Sequence, residues 1–474
     1  MKMPVLDADT LLATGPYVVL SVGILLLIVI EVLPFLAALR KPVFLAALGG
    51  AGWFAWRTLD AGELWVFEGT YVANSTTAWW TMLFLASTLI AWIFGQRWYQ
   101  DEEARFAGEH DILMLTATSG MVLMAGSRDL LVFFIGLELL SVPLYALSGF
   151  QRANRRSVEA GLKYFLLGAF AAATYLFGAG LVYAGTGSLT FARISPSDVG
   201  TPLVVCGTAL LAASLFFKIS VFPFHLWVPD VYQGAPAPVT TYMAMGTKAA
   251  AFAFLLPAAG VLVPPSATPL LAGIALLSMA AGNFAALVQT DLKRLLAYSA
   301  IAHAGTVLLA VAGMQGNPAA FGATQAVLFY MAAYVFTAGG AFGIVTLLER
   351  ETGAPVTIDS LRGLAKSRPG LAAGLALFML SLGGIPATGG FLGKYLVFSV
   401  AVRAGLVAAA VIGILLSVVA LGYYLRVVVA MYMQPGAEER PAHARAGTAW
   451  MALVCAAMVV VLGLLPGWFL DNLR

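Results

Sequence analysis

Seven ionisable side chains lie where a bilayer would exclude charge: Glu138, Lys163, Lys218, Lys248 and Lys394, with His225 and His303. A lysine at the centre of a membrane helix costs about 2.5–3.5 kcal/mol on insertion scales. A carboxylate buried without a partner is also expensive. Histidine can hold or release a proton near neutral pH. Together these groups can bind and hand on protons, and no other chemistry is signalled. No His, Cys or acidic set has metal-ligand spacing, and Cys206 and Cys455 lie far apart in apolar runs with no CxxC. No Gly-rich dinucleotide fingerprint is present, so any redox chemistry belongs to a partner.

Glu138 lies about nine residues into LLVFFIGLELLSVPLYAL, with Pro143 five residues on. Glu159 and Lys163, in SVEAGLKYFLLGAF, are four apart and share a helix face. They are read either as an interfacial helix pair or, for Lys163, as a companion of Glu138. Lys248 sits in TTYMAMGTKAAAFAFLLPAAG among small residues that let helices approach closely. His303, in LLAYSAIAHAGTVLLA, is read as a proton carrier or as a satisfied core histidine. Arg426 is read as structural, snorkelling or paired with a carboxylate. From their distance to the span ends, Glu138 and Lys218 are expected to pair, directly or through one water, with Lys163 nearby.

Two stretches must position these groups. In FFKISVFPFHLWVPDVYQGAPAPVT, residues 216–240, a membrane helix reaches Lys218 and then Pro223, which removes a backbone donor and breaks the helix. In LSLGGIPATGGFLGKYLVF, residues 380–398, glycines and Pro386 punctuate an apolar span just before Lys394. Broken backbone at membrane depth is tolerated where protein or water satisfies it. Broken helices in corresponding positions of two halves point to an inverted-repeat transporter.

The rest of the chain fits this reading. Of its 474 residues 61% are hydrophobic and only 10% charged, against roughly 25% charged in soluble domains. The net charge of +3 gives no sign of nucleic-acid binding. The start, MKMPVLDADTLLATG, lacks the basic opening of a signal peptide, so the first span is expected to be retained. Apolar segments run over about 16–38, 42–58, 75–95, 110–127, 129–149, 158–185, 202–222 with a broken continuation to 235, 237–262, 267–289, 294–314, 320–348, 369–400 with an interruption, 406–433 and 447–470. The expected fold is all-α and polytopic, with about fourteen transmembrane helices. Its parts are flanking helices in 1–109, two inverted five-helix repeats in 110–262 and 267–433 with helices 7 and 12 broken, and a last helix in 434–474. An outside amino terminus puts fifteen Lys and Arg in inner loops and six outside, as the positive-inside rule requires. Both termini are then outside.

The strings ELLSVPLYAL, SVEAGLKYFLLGAF, FFKISVFPFHLWVPDVYQGAPAPVT, QTDLKRLLAYSAIAHAG and GGFLGKYLVF resemble the antiporter-like subunits of respiratory complex I, most closely the subunit N family of bacterial NADH-quinone oxidoreductase. The resemblance is strong over 110–433 and weak at the ends. It implies a proton-translocating subunit of a translocase enzyme in the bacterial inner membrane. FMN, iron-sulfur clusters and quinone would lie in partner subunits, with none on this chain, and subunits M and K would be its neighbours. By position, Glu138 resembles the family's span-five carboxylate and Lys218 its ion-paired partner. Lys163 matches the span-six basic residue, Lys248 the central-axis lysine and Lys394 the span-twelve residue. His225 and His303 resemble polar residues of the central axis. Two other readings remain: a subunit of a multi-subunit cation/proton antiporter, and a membrane scaffold. Five basic residues at membrane depth argue against a scaffold, which has no use for them.

Overall fold

The computed structural model describes residues 7–96, 98, 106–195, 197–316, 322–436 and 446–473. Lys2, Arg97, Arg105, Arg440, Arg445 and Arg474, six of the cations counted above, lie outside the described residues.

The chain folds into α1 (Ala8–Val32), α2 (Arg40–Thr58), α3 (Ser75–Gly95), α4 (Ala107–Gly126), α5 (Leu130–Ser148), α6 (Arg155–Thr186), α7 (Pro202–Ile219), α8 (Trp227–Gly234) and α9 (Ala237–Leu262). After these come α10 (Thr268–Leu287), α11 (Leu292–Gly316), α12 (Ala323–Thr352), α13 (Leu364–Ser367), α14 (Pro369–Gly383), α15 (Gly389–Arg403), α16 (Val407–Met433), α17 (Ala446–Leu464) and α18 (Pro466–Leu470). A short antiparallel hairpin, β1 (Leu64–Val66) with β2 (Tyr71–Ala73), joins α2 to α3. Among the described residues, eleven helical segments are long and apolar enough to cross a membrane. The chain is a multi-pass, all-α membrane protein. The remaining apolar segments of the sequence fall on α4, whose first turns carry Glu109 and Asp111, and on the shorter α14, α15 and α17.

One boundary moves. The first span is expected at 16–38, yet α1 starts at Ala8, because Asp7 caps it by accepting a hydrogen bond from the Thr10 amide at 2.8 Å. It ends before Pro34, which opens a separate turn of 3₁₀ helix.

Both breaks appear where Pro and Gly put them. After α7 the chain turns through Ser220, in left-handed backbone, and the Phe222 amide donates to Ser278 Oγ of α10 at 2.9 Å. The chain then resumes as α8. Between α14 and α15, Gly384 takes φ +85°, which a side chain would strain. Gly390 lies against the Ser381 carbonyl, where a Cβ would overlap it.

α9, α11 and α12 bury most of their length, whereas α6 and α16 expose most of theirs. The central helices carry Lys248 and His303. The outward faces show Phe170, Leu166 and Leu415, apolar groups suited to acyl chains or to another membrane subunit.

Candidate functional site

Lys218 ends α7 with its ammonium inside the bundle. Nζ donates to Ser141 Oγ of α5 at 2.7 Å and to the Tyr164 hydroxyl of α6 at 3.3 Å. Tyr164 stacks on Trp227 with ring centroids 4.5 Å apart, and Trp227 donates from Nε1 to the Phe217 carbonyl at 3.0 Å. The break after α7 thus folds α8 back so that Trp227 walls the lysine.

The expected direct pair with Glu138 is not formed: among the described residues no ion pair within 4.0 Å joins Glu138 to Lys218 or to Lys163. Ser141, three residues beyond Glu138 on the same helix face, takes the ammonium instead. Glu138 Oε1 is buried with no hydrogen-bond partner, close enough for its charge to act on Lys218. Lys163 lies elsewhere. Its ammonium is half-exposed and held by Glu159 at 2.7 Å and by Asp230 of α8 at 2.8 Å. Asp230 also accepts from Arg294 of α11 at 2.8 Å. This network ties α6, α8 and α11 together.

Lys248 Nζ is buried, has no hydrogen-bond partner and sits 5.6 Å from the centre of the Tyr232 ring. His225 lies in the break between α7 and α8, buried against Phe222, with Nδ1 unpartnered. His303 is held from both sides: Nδ1 contacts the Tyr330 hydroxyl at 2.6 Å and Nε2 the Tyr424 hydroxyl at 3.1 Å. Tyr424 in turn contacts Ser299. Lys248 and Lys394 are both close enough for their charges to act on His303. Protons on all three at once would repel one another in a poorly screened interior.

Lys394 spans the second break. Nζ donates to the carbonyls of Leu382 at 2.9 Å and Gly383 at 3.0 Å, the last residues of α14. These carbonyls carry the negative end of the helix dipole, so the cation neutralises a helix end that the break leaves open. A cavity of about 10 Å³ beside His303, Tyr330 and Ser381 has room for roughly one water. It links the histidine to this break.

Arg426 is structural by a route the sequence did not show. Among the described residues no carboxylate lies within 4.0 Å of it. Its guanidinium donates to the carbonyls of Leu287, at 2.7 Å, and Gln289, closing the end of α10.

The family described as NADH:quinone oxidoreductase/Mrp antiporter, TM, matches residues 127–420. NADH-quinone oxidoreductase subunit N of Myxococcus xanthus is 38% identical, covering 98% of this chain and 97% of its own. This chain belongs to that antiporter-like family. The subunit N relative from Salinibacter ruber is 43% identical over 77% of this chain. Among solved structures, a chain of respiratory complex I from Thermus thermophilus with bound Aureothin is 37% identical, covers 97% of this chain and superposes with a TM-score of 0.83. A chain of the Mrp complex from Dietzia reaches a TM-score of 0.87 at 21% identity, a likeness of fold alone.

The family region, 127–420, encloses both breaks and all seven side chains with which the sequence analysis began. What that analysis missed is the set of hydroxyls around them: Ser141, Tyr164, Tyr330 and Tyr424. A buried tyrosine needs a partner for its hydroxyl, and the tyrosines in apolar spans beside lysine or histidine were the available signal. Asp230 was missed too, because its spacing to Lys163 exists only after the chain breaks and folds back.

Asp230→Asn removes one charge from a half-exposed network. The expected cost is about 1 kcal/mol or less per pair. Thermal unfolding of the purified assembly should shift by a few degrees at most, with proton pumping retained. A loss of pumping at normal stability would move Lys163 from a positioning role into the proton path.

Proposed function

We propose that the chain is a proton-translocating subunit of an NADH:quinone oxidoreductase in a bacterial inner membrane. Electron transfer, with FMN, iron-sulfur clusters and quinone, takes place in its partner subunits. The neighbours proposed are subunits M and K. The carrying observation is three buried lysines, Lys218, Lys248 and Lys394, with His303 close enough to feel the charges of the last two; ionisable groups at membrane depth are costly and mark proton relays. Glu138 sets the charge environment of Lys218. Protons move from Lys218, by way of His225, to Lys248, then through His303 and its two tyrosines to Lys394. Lys163 positions α8 beside Lys218.

The half-helices α7 and α14 point to two inverted five-helix repeats, 110–262 and 267–433, within a fourteen-span topology with both termini outside. The loops bearing Arg155, Arg156 and Arg362 then face inward. Single cysteines at Arg155 and Arg362 should react with an impermeant thiol reagent only from the inner side. Labelling of either from outside would refute this orientation.

The alternative, a subunit of a multi-subunit cation/proton antiporter, rests on the shared fold. Purification of the tagged chain from native membranes separates the two. NADH-oxidising subunits should copurify, and recovery of only other antiporter subunits would overturn the proposal.

A further inference from the structure

A buried ion pair lies apart from the groups discussed so far. Lys293 of α11 and Glu349 of α12 meet at 3.2 Å, both nearly excluded from solvent. Lys293 also donates to the Ala235 carbonyl at 3.1 Å, just where α8 passes into α9. The pair sits in the wall of a cavity of about 640 Å³ that is mostly polar and is bordered by Trp98 and by the loops after α5, α8 and α12. Asn154, Arg156 and Gln233 line its other sides. A structural pair needs no water-sized chamber beside it, and a buried pair is weak support for stability in any case.

The polar groups do not stop at the pair. Thr346 lies three residues before Glu349, on the same face of α12. Its hydroxyl meets that of Thr241 on α9 at 3.3 Å. Thr241 and Lys248 are seven residues apart and share a face of α9. A hydroxyl can accept a proton from one side and donate on the other by rotating. Glu349, Thr346, Thr241 and Lys248 thus follow one another along the α9–α12 contact from the chamber inward, with Thr346 and Thr241 in contact and an interval of about two helical turns, roughly 10 Å, between Thr241 and Lys248.

We infer that the Lys293–Glu349 pair is an intake gate that delivers protons from this chamber to Lys248 through Thr346 and Thr241. The inference rests on the proton-translocating reading above and supplies it with a second feed, independent of Lys218. In the step, a proton from the inner solution, carried into the chamber as hydronium, passes to the Glu349 carboxylate and leaves a neutral water behind. The neutral acid no longer binds Lys293, which keeps its contact with the Ala235 carbonyl. The proton passes along the two hydroxyls and, by water entering the interval beyond Thr241, to the neutral amine of Lys248, and Glu349, again a carboxylate, re-forms the pair. No charge is created or lost apart from the proton carried inward.

The test uses the whole complex in inside-out vesicles, reading protons pumped per NADH oxidised. Glu349→Gln and Thr346→Val should each lower the yield, with Lys218→Met measured beside them. Asn154→Cys places a thiol in the chamber wall. Full modification by a bulky impermeant thiol reagent added on the inner face should lower the yield at least as much as Glu349→Gln, with no effect on the parent complex. If Lys218→Met fails to pump normally while Glu349→Gln, Thr346→Val and the blocked Asn154→Cys all keep wild-type yield, the gate is wrong and the broader reading stands. If Lys218→Met also keeps wild-type yield, the broader reading falls with it. Should Glu349→Gln not assemble, the blocked Asn154→Cys complex decides: unchanged yield overturns the gate.

Discussion

Lys218→Met should assemble normally and lose the proton transfer that runs through Lys218. Methionine matches the length of lysine without its charge, and among the described residues no ion pair within 4.0 Å holds Lys218, so no directly paired charge is stranded. The Ser141 hydroxyl keeps the hydrogen bond it donates to the Leu137 carbonyl. The Tyr164 hydroxyl loses a donor, at about 1–3 kcal/mol if nothing replaces it. These effects are small. The loss of function is not small, since a positioned proton-transfer group contributes roughly 10²–10⁴ in rate. In reconstituted vesicles the pumped yield per NADH should fall, by at most this subunit's share, with the complex intact by size. Wild-type turnover and yield in a fully assembled Lys218→Met complex would make Lys218 structural. Glu138→Gln should weaken pumping less, because no direct pair is broken.

Lys394→Met should behave differently, losing stability as well as function. Here the ammonium is the hydrogen-bond donor to two buried carbonyls at the open end of α14. Leaving a buried acceptor unsatisfied costs about 1–3 kcal/mol, and the lost cation at a helix C-terminus adds up to about 2 kcal/mol in a partly buried site. Arginine is not a simple rescue. Gly384 closes on the lysine stem, with space for a Cβ only about 3.0 Å from Lys394 Cδ, so a bulkier guanidinium must displace the break. The expected result is a lower unfolding temperature and poor pumping for Lys394→Met, and partial recovery of stability alone for Lys394→Arg. A Lys394→Met complex as stable as the parent would show that the two carbonyls find other donors and that the lysine is not what closes the half-helix.

The two lysines differ because of their surroundings, and this marks the line between sequence and tertiary structure. The sequence by itself determined that the chain is helical and membrane-spanning, because long apolar runs must satisfy their backbone internally. It determined both breaks, because Pro223 and the glycines about Pro386 cannot continue a helix. It also singled out the side chains too costly to be incidental, because burial of a charge is a property of residue type and depth. Only the tertiary structure decided what each one touches. Ser141 rather than Glu138 holds Lys218, helix-end carbonyls hold Lys394, Asp230 holds Lys163, and Lys248 is left with an aromatic face and no acceptor. Those partners come from helices distant in the chain. A hydrogen bond is decided within a few tenths of an ångström, whereas spacing in a sequence fixes the position of a side chain only along its own helix.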